Sequence, residues 1–247
     1  MRLPVISGRI ARRVLVNYRI DPAVMERHVP APFRPRIVRG YAMAGICLIR
    51  LEQLRPQGWP AWLGVASENA AHRVAVEWDA ADGCHTGVYV PRRDSSSWFN
   101  ILAGGRLFPG EHGRARFRAK ESEGSLRLEI SGVRGLSVLV AGRVAPTLPG
   151  GSIFESLDEA SRFFQEGSEG YSLTATLGRY DGLELRTEAW KIEPFAVDEV
   201  ASSYFDDQQL FPKGTATFDS AFLMRDIRHA WHSLPEVCAA ACAPAVT

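Results

Sequence analysis

Arg73-Val74-Ala75-Val76-Glu77-Trp78, followed by Ala81-Asp82-Gly83 and then Cys84-His85-Thr86-Gly87-Val88-Tyr89-Val90-Pro91, decides the fold class. The first run alternates with period two, the period of a strand whose successive side chains point to opposite faces. Asp-Gly between two such runs is a strong hairpin signal, because both residues tolerate the backbone angles a tight turn demands. Working outward, residues 114–121 and 125–133 form a second expected hairpin around Glu123-Gly124. Residues 173–179 and 183–192 form a third, turned by Asp181-Gly182, and residues 137–144 form a further apolar strand. Each strand carries an apolar face that another sheet face, or closure of the sheet on itself, must cover.

Helices are few. Asp21-Pro22-Ala23-Val24-Met25-Glu26-Arg27-His28 has an aspartate cap with proline at the first helical position. Ser156-Leu157-Asp158-Glu159 is a capping box that opens a helix through Phe163 and Phe164 to about Glu166. Residues 95–107 predict one more, weakened by Gly104-Gly105. Many strands with few short helices imply a mainly β (α+β) chain, an antiparallel β-barrel in one domain over residues 1–236. Residues 237–247 are expected to be a loose tail.

Composition narrows the function classes. A net charge of +1 gives no bulk attraction to nucleic acid or to an anionic membrane. No apolar run is long enough to span a bilayer. Residues 1–8 hold no signal-peptide core. Cys47, Cys84, Cys238 and Cys242 match neither a disulfide framework nor a zinc knuckle. His229 and His232 have metal spacing only on a helix and lack an acidic partner, so no metal and no other cofactor is expected. A reducing, cytoplasmic setting and a small-molecule partner are expected. Homo-oligomerisation is left open.

Tyr18-Arg19-Ile20-Asp21, then Val29-Pro30-Ala31-Pro32-Phe33, resembles the opening of acetoacetate decarboxylases. Ser67-Glu68, Gly87-Val88-Tyr89 and Gly105-Arg106 resemble that family's central segments. Trp190, Ser202-Ser203, Phe211-Pro212 and residues 219–225 are similar to a branch of the superfamily catalogued as a domain of unknown function. The resemblance implies an acetoacetate decarboxylase-like barrel over roughly residues 10–232 and an active-site glutamate at Glu68. It also implies a proline followed by two lysines, one of them a Schiff-base former. Here Pro109-Gly110-Glu111-His112 stands in that place, and the chain has only Lys120, Lys191 and Lys213.

The candidate site follows from this departure. Glu68 is either an acid–base group with a pKa raised by desolvation or a structural partner of an arginine. Arg106, after two glycines, would hold a carboxylate or enolate in its planar fork, or else pair with Glu68 or Glu111. His72 lies four residues after Glu68 and shares its strand face, which suits an acid–base couple; otherwise it is a partly exposed strand histidine. His112 could replace the missing amine as a general base, or sit in a loop. Arg12, Tyr89, Trp98 and Asn69 are the expected substrate contacts; alternation puts Arg12 and Arg13 on opposite faces, so at most one points inward. These residues suit a lysine-independent enzyme acting on a small oxo-acid or polyketide-like compound by decarboxylation, dehydration, aldol chemistry or cyclisation. The alternative is a non-catalytic binding protein for a small hydrophobic or carboxylate metabolite.

Overall fold

The computed structural model describes residues 4–97 and 110–239. Thirteen strands dominate them: β1 (Ile6–Ile20), β2 (Arg34–Pro35), β3 (Ile37–Val38), β4 (Tyr41–Pro56), β5 (Val65–Ala80), β6 (Gly83–Ser95), β7 (Glu111–Ser122), β8 (Ser125–Gly132), β9 (Ser137–Val144), β10 (Glu169–Leu173), β11 (Arg179–Thr187), β12 (Glu193–Ser202) and β13 (Ala216–Cys238). Two α-helices accompany them, α1 (Pro22–Glu26) and α2 (Leu157–Glu166).

The local signals act as expected in most places. The Asp21 carboxylate accepts from the Ala23 and Val24 amides at the start of α1. Ser156 Oγ accepts from the Glu159 amide and opens α2. Glu123 and Gly124 both take positive φ in the β7–β8 turn, the conformation a two-residue hairpin needs.

Three local expectations are corrected. Asp181-Gly182 is not a turn but lies inside β11, and the chain turns instead at residues 174–178, with Gly178 at positive φ. Gly182 serves packing, since a Cβ there would sit 2.5 Å from the Tyr171 ring on β10. Ser95 closes β6 rather than opening a helix, and residues 98–109 lie outside the described residues. The tail begins later than residue 237, because Val237 and Cys238 pair with Tyr180 and Arg179. The chain is mainly β as expected, its strands pairing antiparallel except that β6 runs parallel to both β7 and β10.

Five strands, in the order β6-β5-β4-β1-β13, form a common wall. From that wall β7, β8, β9 and β12 close one ring, while β10 and β11 close a second. The wall is therefore buried on both faces. One face, here the core face, packs Val14, Val16, Ile46, Leu48, Val74 and Val76 against Leu128, Ile130 and Val140 of β8 and β9. The other, the helix face, packs Leu15, Met43 and Ile49 against Phe163 and Phe164 of α2 and Leu185 of β11. Ala160, Phe163 and Phe164 are the buried positions of α2, at the i, i+3, i+4 spacing of one helical stripe. Among the described residues no helix is long and apolar enough to cross a membrane.

Candidate functional site

Residues directly opposite one another in neighbouring strands share a face. On the core face Arg12 stands opposite Arg225 and Arg50, and Arg50 stands opposite Glu68. The two Nη2 contacts from Arg12 to the Glu68 carboxylate measure 3.0 and 2.8 Å. Arg12 Nη1 donates to Glu121, whose other oxygen accepts from Arg225 at 2.8 Å. The Arg12 side chain is 5% exposed and that of Glu68 14%. Glu68 thus has its charge matched in place by Arg12. Glu68→Gln should lower unfolding stability by about 1.5–3 kcal/mol, because it removes a charge-assisted contact from a buried guanidinium that keeps only Glu121 as its counter-charge. Urea unfolding checks this, and unchanged stability would refute the structural role.

His72 shares that face but makes no couple with Glu68. It is fully buried, and among the described residues neither ring nitrogen has a hydrogen-bond partner. Its ring lies 4.9 Å from that of Tyr204. Burial, with the nearby Arg92 charge, pulls its pKa down to about 4. Arg92 is itself paired with the buried Asp94 carboxylate at 2.8 and 3.0 Å. Tyr89 packs against Phe33 and Tyr180 in the same core, and burial pushes its hydroxyl up to about 12.

The helix face carries the less expected arrangement. One row across the wall runs Leu15, Cys47, Ala71, Arg93, His112. The row beside it runs Arg13, Ile49, Asn69, Ser95, Arg114, and the row on the other side brings Asn17, Gly45 and Arg73 together. Gly45 is required there, since a Cβ would meet the Val16 carbonyl oxygen.

Arg13 and Arg73 are each only 9% exposed. Arg13 Nε donates to Cys47 Sγ at 3.2 Å, and its guanidinium stacks 5.6 Å from the Trp190 ring. Arg73 Nη2 donates to Asn17 Oδ1 at 2.5 Å, and its guanidinium lies 5.0 Å from the Phe164 ring. Among the described residues no carboxylate pairs with either, and Arg13 Nη1 and Arg73 Nε have no hydrogen-bond partner. Burial lowers the pKa of both Arg73 and Arg93 to about 10. Arg93 reaches Ser172 Oγ at 3.5 Å. His229, also buried, is held neutral by burial and the Arg13 charge, with its pKa near 4. Buried cations without a counter-ion are costly, and an entering anion would relieve that cost.

The structure therefore divides the expected site residues. Glu68, His72, Arg12 and Tyr89 lie on the core face, and Asn69 and His112 on the helix face. Asn69 donates to Ser67 Oγ at 2.9 Å and accepts from Ser95 Oγ at 2.8 Å. His112 is half-buried beside Arg93. Arg106 and Trp98 lie outside the described residues. Arg13 was weighed only against Arg12 as the one to point inward, yet both are buried, on opposite faces of the wall; Cys47, Arg73 and Arg93 were not singled out as site residues. A signal for them existed, since adjacent strand residues face oppositely, and Arg13 and Arg73 directly follow Arg12 and His72. Lys120, Lys191 and Lys213 are all solvent-exposed, so no lysine side chain is enclosed with this cluster. No group of three or more metal-ligating side chains occurs among the described residues.

Comparisons with known proteins agree with this architecture. A search of the curated proteins finds no match. Among solved structures, acetoacetate decarboxylase from Legionella pneumophila superposes with a TM-score of 0.59 at 11% identity, over 95% of this chain and 88% of that one. The enduracididine biosynthesis enzyme MppR, complexed with pyruvate, gives 0.61 at 12% identity over 96% and 91%. An acetoacetate decarboxylase-like enzyme from Sphingomonas wittichii gives 0.55 at 14% identity over 94% of each chain. The fold is thus that of the acetoacetate decarboxylase-like proteins. The family model of DUF2071, described as an uncharacterized conserved protein, matches residues 9–224, and the chain belongs to that family.

Proposed function

We propose that the helix face of the wall binds a small oxo-acid through its carboxylate and acts on it by acid–base chemistry without a lysine imine. The observation that carries this reading is the pair Arg13 and Arg73, buried side by side with no carboxylate partner among the described residues. A guanidinium fork matches a carboxylate bidentately and also stabilises an enolate oxygen, the charge that develops when a proton or CO₂ leaves the carbon beside a carbonyl. His112, on the same face, is the side chain whose ordinary titration range suits proton transfer near neutrality. The exposure of all three lysines argues against an imine, which needs an uncharged, desolvated amine. The solved complex of the similar MppR with pyruvate agrees with a small oxo-acid as the ligand class.

Calorimetric titration with pyruvate and with acetoacetate tests the reading. Binding should weaken roughly tenfold to a hundredfold in Arg13→Gln, as expected for loss of a charge-assisted hydrogen bond. Borohydride reduction of the mixture should leave the intact mass of the chain unchanged. Absence of binding would refute the carboxylate site, and a reduced adduct on Lys191 would restore an imine mechanism. A non-catalytic binding protein is the second reading. It is favoured by one observation, the capture of the Glu68 carboxylate by Arg12. Release of CO₂ or exchange of carbon-bound hydrogen for deuterium by the bound oxo-acid separates the two.

A further inference from the structure

Cys47 sits at the centre of the buried cationic cluster. Arg13 Nε donates to its sulfur at 3.2 Å, Arg93 lies in its own row across the wall, and Arg73 lies in the row beside it. Its neighbour across the sheet is small, since Ala71 stands opposite it on β5. In the rows flanking that of Cys47, two donors, Arg13 Nη1 and Arg73 Nε, are enclosed with no hydrogen-bond partner among the described residues. Reactive cysteines occur in such electropositive surroundings, because the thiolate is the attacking form. Donors placed next to an attacking atom also stabilise the oxyanion that the attack creates.

We infer that Cys47 is the nucleophile of this face, and that its sulfur adds to the carbonyl carbon of an oxo-acid whose carboxylate is held by Arg13 and Arg73. This rests on the carboxylate site proposed above. The addition forms one carbon–sulfur bond and moves the carbonyl π pair onto oxygen. That oxygen takes up the proton the thiol gives up, leaving a tetrahedral hemithioketal. No oxidant, reductant or leaving group is involved. Reversal returns the free thiol and the ketone.

The test uses the full chain with Cys84, Cys238 and Cys242 each replaced by serine, so that Cys47 is the one thiol present. Bromopyruvate presents a carboxylate and an alkylating carbon, and its reaction displaces bromide as a carbon–sulfur bond forms. Intact-mass analysis should show a single adduct, mapping to Cys47. Its formation rate should saturate with reagent and fall at least about tenfold in excess pyruvate or in Arg13→Gln. The neutral reagent iodoacetamide should react without saturation, and excess pyruvate should slow it as well, because both compete for the same sulfur. With pyruvate labelled with ¹³C at its carbonyl carbon, a tetrahedral carbon resonance distinct from that of free pyruvate hydrate should appear, and it should vanish in Cys47→Ser. An unmodified Cys47, or labelling that ignores charge and pyruvate, overturns the inference, as does absence of the tetrahedral resonance. Calorimetry on Cys47→Ser keeps the two readings apart. Pyruvate binding without reaction at Cys47 in the parent chain leaves the carboxylate site standing and removes the nucleophile. Loss of pyruvate binding in every variant and in the natural chain removes both.

Discussion

Lowering the pH from 7 to 4 should destabilise the protein by several kcal/mol, and His72→Phe should remove about half of that loss. His72 and His229 are both buried, with pKa values of about 4 against an ordinary value of 6.5. Above pH 6.5 both forms of the chain hold these imidazoles neutral, and the shift contributes nothing to the balance. Between pH 6.5 and 4 the unfolded chain takes up protons that the folded chain cannot, so stability falls as pH falls. Below about pH 4 the folded chain protonates as well, and this loss levels off. Each shift corresponds to about 3 kcal/mol at most. Phenylalanine fits an aromatic neighbourhood already formed by Tyr204 and Phe205. Denaturant unfolding across that pH range, for the natural chain and for His72→Phe, gives the comparison. A stability curve in which His72→Phe and the natural chain run parallel from pH 7 to 4 would show that His72 titrates normally.

Arg73→Met should raise the melting temperature while reducing affinity for oxo-acids by roughly a hundredfold. Methionine retains much of the volume of the arginine stem beside Phe164 and removes the charge. Two effects compete in the unliganded protein. Loss of the bond to Asn17 Oδ1 costs about 1.5 kcal/mol, since Asn17 keeps its own contacts to Leu15 and Ser220. Relief from burying a cation without a counter-ion is worth about 1–4 kcal/mol, and it wins. In the liganded protein the order reverses, because the carboxylate loses a charged donor worth about 1.5–3 kcal/mol in a buried setting. Thermal unfolding with and without pyruvate reads both effects at once. A fall in melting temperature without ligand would mean that the guanidinium charge is balanced inside the protein.

The strand-rich fold was legible wherever the signal was local. The Asp82-Gly83 and Glu123-Gly124 turns, the residue 137–144 strand and the capped starts of α1 and α2 depend on backbone preferences of a few adjacent residues, which composition alone expresses. Asp181-Gly182 misled because glycine has two uses. The sequence shows a residue fit for a turn, while the folded chain needs a missing Cβ beside Tyr171, a partner supplied by another strand.

The site was legible only as a parity. Period two tells that Arg12 and Arg13, or Glu68 and Asn69, face opposite ways, and that Glu68 and His72 face together. In an ordinary barrel one face is wet, and the apolar pattern says which is inside. Here the wall is shared by two rings, and both faces are buried, so the pattern could not choose between them. By itself the sequence determined a mainly β chain, its main turns, the alternation of its side chains, and the absence of a lysine pair after Pro109. Tertiary structure alone decided that Arg12 would neutralise Glu68 while Arg13 and Arg73 would meet Cys47 with no carboxylate partner among the described residues. Charge pairing depends on which strands become neighbours, and that is set by long-range closure of the sheet rather than by any stretch of adjacent residues.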